Sequence, residues 1–536
     1  MMNFKEGVKL SLGALIGVAV VVHGTKLALQ IAAKWPKKPL PPGPRPRPVF
    51  GNVLQLGPSP CRMLAKVCEQ YGGVMSFWVG SHPTVILTSA QIVVELFSRK
   101  RAPDTFESRP GMLIHGGVLT MGEARGYRRY MNVSTHKSLQ WRKLRRILST
   151  YLIHTNRTTK FHPLRESNRD HVLAVILENL KKEASASKCF VLNSRKHLRP
   201  GILNLLFTTC FGSVVDLTTG LMDHQLLRLL TAFKEVVKLG VTSRFSDYLP
   251  ILPEVPATIA DIELAESAKR AEECCVQTVG VIRKRFHPKD PKKSHLLHSF
   301  LDVLCNLRGD EKLNDREITW ILSEILLTAT DNTSTLVEWA LGQLIYRPDL
   351  QAMIQAEIDR VIGGNKTISE NDIEQMPYLK AMVKETLRVN HPVMLTLPHV
   401  TTKPLEVCDG MYLLPSGTTV IAHIPALYTD PNVWDNPYEF RPERYFSDMD
   451  EEREEPERLQ LQSDIFSAVR RFSPGQGLVL LKAQILIAKI LQSFDLLPAF
   501  DGRPKPFDET SSSEFGVINQ MKLPLDISFR PRSTIF

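Results

Sequence analysis

The side chains in this 536-residue chain that could do chemistry fall into a few compact clusters. The most unusual is Thr328-Ala329-Thr330-Asp331-Asn332-Thr333-Ser334-Thr335, an acid set among hydroxyls and an amide, with Ile325-Leu326-Leu327 before it and Leu336-Val337 after it. Hydroxyl side chains compete with the helix for backbone groups, so such a patch inside an apolar helix needs a reason. A polar cavity for substrate or oxygen is one reason; a solvent-facing stretch is the other. Trp141 and Arg145 stand four apart and share a helix face, where an indole N–H beside a guanidinium can hold an anionic group or can belong to a solvated basic face. Glu385 and Arg388 are opposite charges at i and i+3, which on a helix surface contribute only about 0.2–0.5 kcal/mol. Near the C-terminus, Arg471-Phe472-Ser473-Pro474-Gly475-Gln476-Gly477-Leu478 forms a glycine- and proline-containing loop that runs into the apolar stretch Val479 to Phe494. The eight cysteines show no CxxC or Cys/His zinc spacing, so no metal site is assigned and they read as scattered buried thiols in a reducing compartment.

These groups must be positioned by a mainly α fold with small β-sheets. Asn314-Asp315 is a good helix start with Glu317 in the first turn, and Arg347-Pro348 stops the helix, so the polar patch sits in the middle of an element of about thirty residues, roughly 45 Å long. Upstream, Val74 to Val79 and Thr84 to Thr88 are β-branched and aromatic runs around Gly80-Ser81-His82-Pro83, which predicts a hairpin. From Ala90 to Asp349 the pattern is mainly helical. Further on come a short strand at Thr418 to Ile421, a turn-rich Asp430 to Pro437, the segment Phe440 to Phe446 and an acidic run from Asp448 to Glu457.

A hydrophobic fraction of 43% and a charged fraction of 23% suit a globular protein, and 67 Lys and Arg against 56 Asp and Glu give a net charge of +11. That basic balance points to an anionic membrane surface or an acidic protein partner; no nucleic-acid motif appears, so nucleic acid is not expected. Leu10 to Ala33 is long enough to span a bilayer if Lys26 snorkels towards an interface, and Lys34, Lys37, Lys38, Arg45 and Arg47 place the downstream side in the cytosol. A cleaved signal peptide is the competing reading. The proline-rich stretch Pro36 to Pro48 cannot be helical and reads as a stiff extended spacer, or as a ligand for a proline-binding module. The organisation is therefore an anchor at 1–34, a hinge at 35–50 and one domain at 51–536.

Taken in order, these features resemble the haem-thiolate monooxygenases, the cytochrome P-450 superfamily in its plant microsomal form. The resemblance rests on Pro41-Pro42-Gly43-Pro44, Trp141 with Arg145, Thr328 to Thr333, Glu385 with Arg388, Pro442-Glu443-Arg444-Tyr445 and Phe472-Ser473-Pro474-Gly475. It implies that fold, haem b, a small-molecule substrate, and a place in the endoplasmic reticulum membrane with the catalytic domain in the cytosol. It also implies an NADPH-dependent flavoprotein reductase docking near Lys137, Arg142, Lys143 and Arg146. Carried onto this chain, Glu385, Arg388 and Arg444 would form a buried salt-bridge network. Trp141, Arg145 and His399 would contact haem propionates, Phe472 and Gly475 would belong to the haem loop, and Asp331, Asn332 and Thr333 would deliver protons during oxygen activation. Asn332 replaces the usual threonine after the acid. Together with Leu397-Pro398-His399-Val400, that makes the chain similar to a plant branch that N-hydroxylates amino acids.

The same resemblance exposes a defect. The family loop reads F-x-x-G-x-R-x-C-x-G, and its cysteine thiolate is the iron ligand whose electron donation promotes O–O cleavage. Begun at Phe472 without gaps, the pattern puts Gly477 at the arginine, Val479 at the cysteine and Leu481 at the last glycine, and no Cys follows Cys408. Six residues inserted after Gly475 would restore it, with Gln476 opening the following helix. The expectation is a haem monooxygenase scaffold that is inactive as written, or else a non-catalytic relative that binds a small molecule or a partner.

Overall fold

The computed structural model describes residues 38–48, 50–56, 60–80, 82–97, 139–153, 190–211, 299–363, 368–396, 398–446, 475–499, 519–521 and 523–532, with a few helical residues between 228 and 277. The anchor segment Leu10 to Ala33, Lys137, the acidic run and Phe472 lie outside them. Among the described residues no helix is long and apolar enough to cross a membrane.

Where it is described, the proline-rich segment is non-helical and hydrogen-bonded to the body of the protein. Proline has no N–H but keeps its carbonyl, and these carbonyls are used. Pro42 O accepts from Ser76 N at 2.9 Å and Pro39 O accepts from Leu413 N at 3.1 Å. Asn52, fully buried, donates to Pro44 O and Arg45 O and accepts from Trp78 N at 2.8 Å. A Cβ on Gly43 would lie 1.9 Å from Ser76 O, so only glycine lets this strap approach the sheet so closely.

After the strap, α1 (Pro60–Tyr71) leads into β1 (Val74–Val79), β2 (His82–Leu87) and α2 (Ala90–Phe97). The expected hairpin forms with Val74 opposite Leu87 and Val79 opposite His82, so its turn is tighter than Gly80 to Pro83. Period-2 alternation sends Met75, Phe77 and Ile86 to one side of the sheet, against Leu64 and Cys68 of α1. Val74, Val85 and Leu87 point to the other, against Val93, Leu96 and Phe97 of α2.

The helical body consists of α3 (Leu139–Leu148), α4 (Ser194–Phe211) after strand β3 (Phe190–Asn193), α5 (Phe300–Asn306), α6 (Asp315–Tyr346), α7 (Pro348–Ile362), α8 (Glu370–Glu374) and α9 (Pro377–Val389). Helix α6 is the predicted central helix, 32 residues long, and its start is a complete capping box: Asn314 accepts from Glu317 N while Glu317 accepts from Asn314 N. The remaining elements are β4 (His399–Val400), the hairpin β5 (Leu405–Val407) and β6 (Tyr412–Leu414), β7 (Thr419–Ala422), α10 (Ile424–Tyr428), α11 (Gln476–Ser493), β8 (Phe494–Pro498) and β9 (Asp526–Pro531). Strands order as β1-β2-β7-β4 in one sheet and β3-β9-β8 in another. One apolar cluster unites α3, α4, α5, α6, α7, α9 and α11 through residues such as Leu144, Leu206, Leu336, Ile354, Leu379 and Ile487. The mainly α fold with small sheets is as expected, and it places the polar patch of α6 inside that body.

Candidate active site

The best-defined part is the ionic network on α9. Glu385 and Arg388 are fully buried, not a surface pair, and the guanidinium meets the carboxylate through two bonds of 2.9 Å each. Arg444, arriving on a short 3-10 turn at Pro442–Tyr445, adds a third bond to the same carboxylate at 3.0 Å, and Arg441 N donates a fourth at 2.9 Å. The remaining guanidinium protons reach backbone carbonyls: Arg388 donates to Tyr428, Pro437 and Glu439, and Arg444 to Asp435 and Glu439. Two like charges can share one buried acid because every guanidinium nitrogen of both residues has an acceptor. Trp434, also buried, lies beside both cations at 5.1 and 6.0 Å. The sequence pattern did not identify Trp434 as part of this network.

The polar patch of α6 has two faces. Thr330 and Thr333 are buried, and the Thr330 hydroxyl donates back to Leu326 O at 2.7 Å, so part of the patch satisfies itself along the helix. Asp331 faces α4, where it forms an ion pair with Arg199. Two turns further on, Glu338 does the same with Arg195 at 2.9 Å, and it also accepts from Ser194 Oγ at 2.8 Å and Leu525 N at 3.0 Å. Arg195 and Arg199 are one turn apart on α4, so the pairs form two rungs of a ladder between the helices. A small cleft between the rungs is lined by Ser194, Arg199, Ser334, Glu338 and Gln520. Asn332 and Ala329 are half-buried on a different face. Asp331, Asn332 and Thr333 are thus adjacent in sequence but do not converge on one point.

Trp141 is buried on α3 and Arg145, one turn on, is half-buried, while Arg142 is exposed beside them. The basic face is partly engaged within the chain: Lys143 donates to Lys312 O at 2.5 Å and Arg146 pairs with Glu311 at 3.4 Å. His399 is buried on β4 with its ring edge-on to Phe97 at 5.1 Å. Gly475 is the N-cap of α11.

A haem would need an axial donor as well as contacts for its propionates. Trp141, Arg145 and His399 have the chemistry for the latter. The donor set does not fit. Gly477, Val479 and Leu481 all lie within α11, and aliphatic side chains cannot coordinate iron. Among the described residues no group of three or more His, Cys, Asp and Glu could hold a metal. Burial pushes the thiols of Cys68 and Cys210 up to about 12, so they stay protonated.

The cytochrome P450 family model matches residues 41–524. Over 529 residues the chain is 28% identical to cytochrome P450 98A1 of Sorghum bicolor, covering 97% of this chain and 96% of that protein. It is 30% identical over 480 residues to cytochrome P450 76C1 of Arabidopsis thaliana, covering 85% of each. A flavonoid 3'-monooxygenase of Petunia hybrida is 27% identical over 513 residues, 92% of each chain.

Proposed function

The chain belongs to the cytochrome P450 family, whose cofactor is haem, and we propose that it is a monooxygenase scaffold for small organic substrates that is catalytically inactive in its present sequence. One observation carries the second half: no cysteine follows Cys408, so the segment leading into α11 holds no thiolate donor. Bound haem would supply oxygen activation in a family member, and a thiolate ligand is what makes that possible. The residues of this chain would still do their own work. Trp141, Arg145 and His399 would hold propionates, Glu385, Arg388 and Arg444 would brace the fold, and Asp331, Asn332 and Thr333 would offer proton-exchanging groups from α6.

The relatives support the substrate class, since they include a flavonoid 3'-monooxygenase and a geraniol 8-hydroxylase from Swertia mussotii. By the same descent the chain is anchored in the endoplasmic reticulum membrane through Leu10 to Ala33. Its basic α3 face, with Arg142 and Arg146 exposed, is the docking surface for an acidic NADPH-dependent reductase. A non-catalytic role, binding a small molecule or a partner, is the function left to such a scaffold. Purified protein with haem, reductase and NADPH tests the proposal: no turnover and no thiolate-type red-shifted Soret band in the reduced carbon monoxide form are expected. Either signal would overturn it.

A further inference from the structure

The disagreement between this chain and a haem ligand set locates the lost ligand. We infer that the haem loop is complete and that Ser473 occupies the position of the axial cysteine, an assignment that rests on the inactivity proposed above. The family pattern F-x-x-G-x-R-x-C-x-G can start at Phe466 as well as at Phe472. Started there it reads Phe466-Ser467-Ala468-Val469-Arg470-Arg471-Phe472-Ser473-Pro474-Gly475 with no gap. Phe466, Arg471 and Gly475 keep the fixed residues; Val469 replaces a glycine and Ser473 replaces the cysteine. Each replacement is reachable by a single base change, whereas the reading from Phe472 requires six residues to have vanished.

The geometry of α11 accommodates the first frame. Gly475 is its N-cap, with φ −85° and ψ 0°, and Val479 N donates to Gly475 O at 2.9 Å, so the first helical turn closes on Gly475 itself. The pattern's final glycine therefore stands directly against the helix that must follow it. With Gly475 as the closing glycine, counting back two residues gives Ser473. Its hydroxyl differs from a cysteine thiol by one atom, yet it stays protonated near neutral pH and offers a hard neutral oxygen where the family offers a soft anionic sulfur. The chemistry is lost while chain length and helix register are kept.

The test is a set of full-length, detergent-solubilised proteins reconstituted with haem: the natural chain, Ser473→Cys, Val469→Gly with Ser473→Cys, and the natural chain with x-R-x-C-x-G inserted after Gly475. Two readouts are taken, the Soret position of the reduced carbon monoxide form and site-mapped alkylation of residue 473 with and without haem. Thiolate ligation releases the thiol proton and shields the sulfur, so Ser473→Cys, alone or with Val469→Gly, gains the red-shifted band and loses alkylation at 473 when haem is added. If neither cysteine variant does so while retaining the helicity of the natural chain, the assignment is overturned, and a band gained only by the insertion would restore the missing-block reading. A red-shifted band in the natural chain overturns inactivity instead. In that case shielding of residue 473 in Ser473→Cys upholds the register, and its absence refutes it.

Discussion

Glu385→Gln isolates the contribution of charge in the buried network, because the amide keeps the size of the carboxylate. The native acid neutralises two guanidiniums whose side chains are 0–1% exposed, through three side-chain bonds of 2.9 to 3.0 Å. Gln keeps an oxygen for one or two of those donors but aims its NH2 at the rest, and it leaves two positive charges buried with no anion. Removing one partner of a buried ionic network costs about 3–5 kcal/mol. The backbone carbonyls of Tyr428, Pro437, Glu439 and Asp435 still solvate the cations, which places the expectation at the lower end, about 3 kcal/mol. Urea unfolding followed by far-UV circular dichroism reads this as a lowered midpoint at unchanged slope. Arg444→Lys should lie between the two proteins, since a lysine keeps the charge but not the fork. A Glu385→Gln unfolding free energy within about 1 kcal/mol of the natural protein's would refute the argument, showing that the carbonyls alone carry the cations.

The ladder between α4 and α6 should be unequal: Glu338→Ala, which strands three donors in a buried site, is expected to cost about 2–4 kcal/mol in the same unfolding assay, and Asp331→Ala, half-exposed, less than about 1; the reverse order would dismiss the ladder. His391 is buried against Tyr428, with Nδ1 within 3.0 Å of Val393 N, and burial pulls its pKa from 6.5 down to about 4. The unfolded chain therefore takes up a proton between those values that the fold refuses, so stability falls as pH drops from about 6.5 to about 4, by on the order of 3 kcal/mol. His391→Gln should flatten that part of the pH profile, and an unchanged slope would assign it to other groups. Gly43→Ala should detach the strap at a cost of about 1–3 kcal/mol, seen as faster proteolytic release of the N-terminal segment; equal release rates would show that the close approach to Ser76 is not needed.

What the sequence made legible was local. The helix start at Asn314-Asp315 with Glu317 in its first turn and the β-branched and aromatic run Val74 to Val79 each lie within a few residues, and both elements form as read. From spacing alone the network was legible only in part: Glu385 and Arg388 at i and i+3 look like any surface pair, and their further partner Arg444, carried in by the resemblance, lies 59 residues from Glu385. Arg195 and Arg199 gave no signal at all, because their partners lie 143 and 132 positions further on. The docking of the proline-rich strap on the sheet was not legible, because proline advertises its missing donor and hides its available acceptor. At the haem loop, two phenylalanines six residues apart can each open the same pattern, and they differ in what they require: two single-residue replacements from Phe466, six lost residues from Phe472.

The network of Glu385, Arg388, Arg444 and Trp434 bears on how kinship of this kind is to be interpreted. Each member is held in place by what its own loss would do to the others, so folding alone keeps all four, whether or not any substrate is ever turned over. A fold needs this internal cluster whether or not its chain turns over a substrate, so the most recognisable residues of the chain are those least able to say whether it is an enzyme.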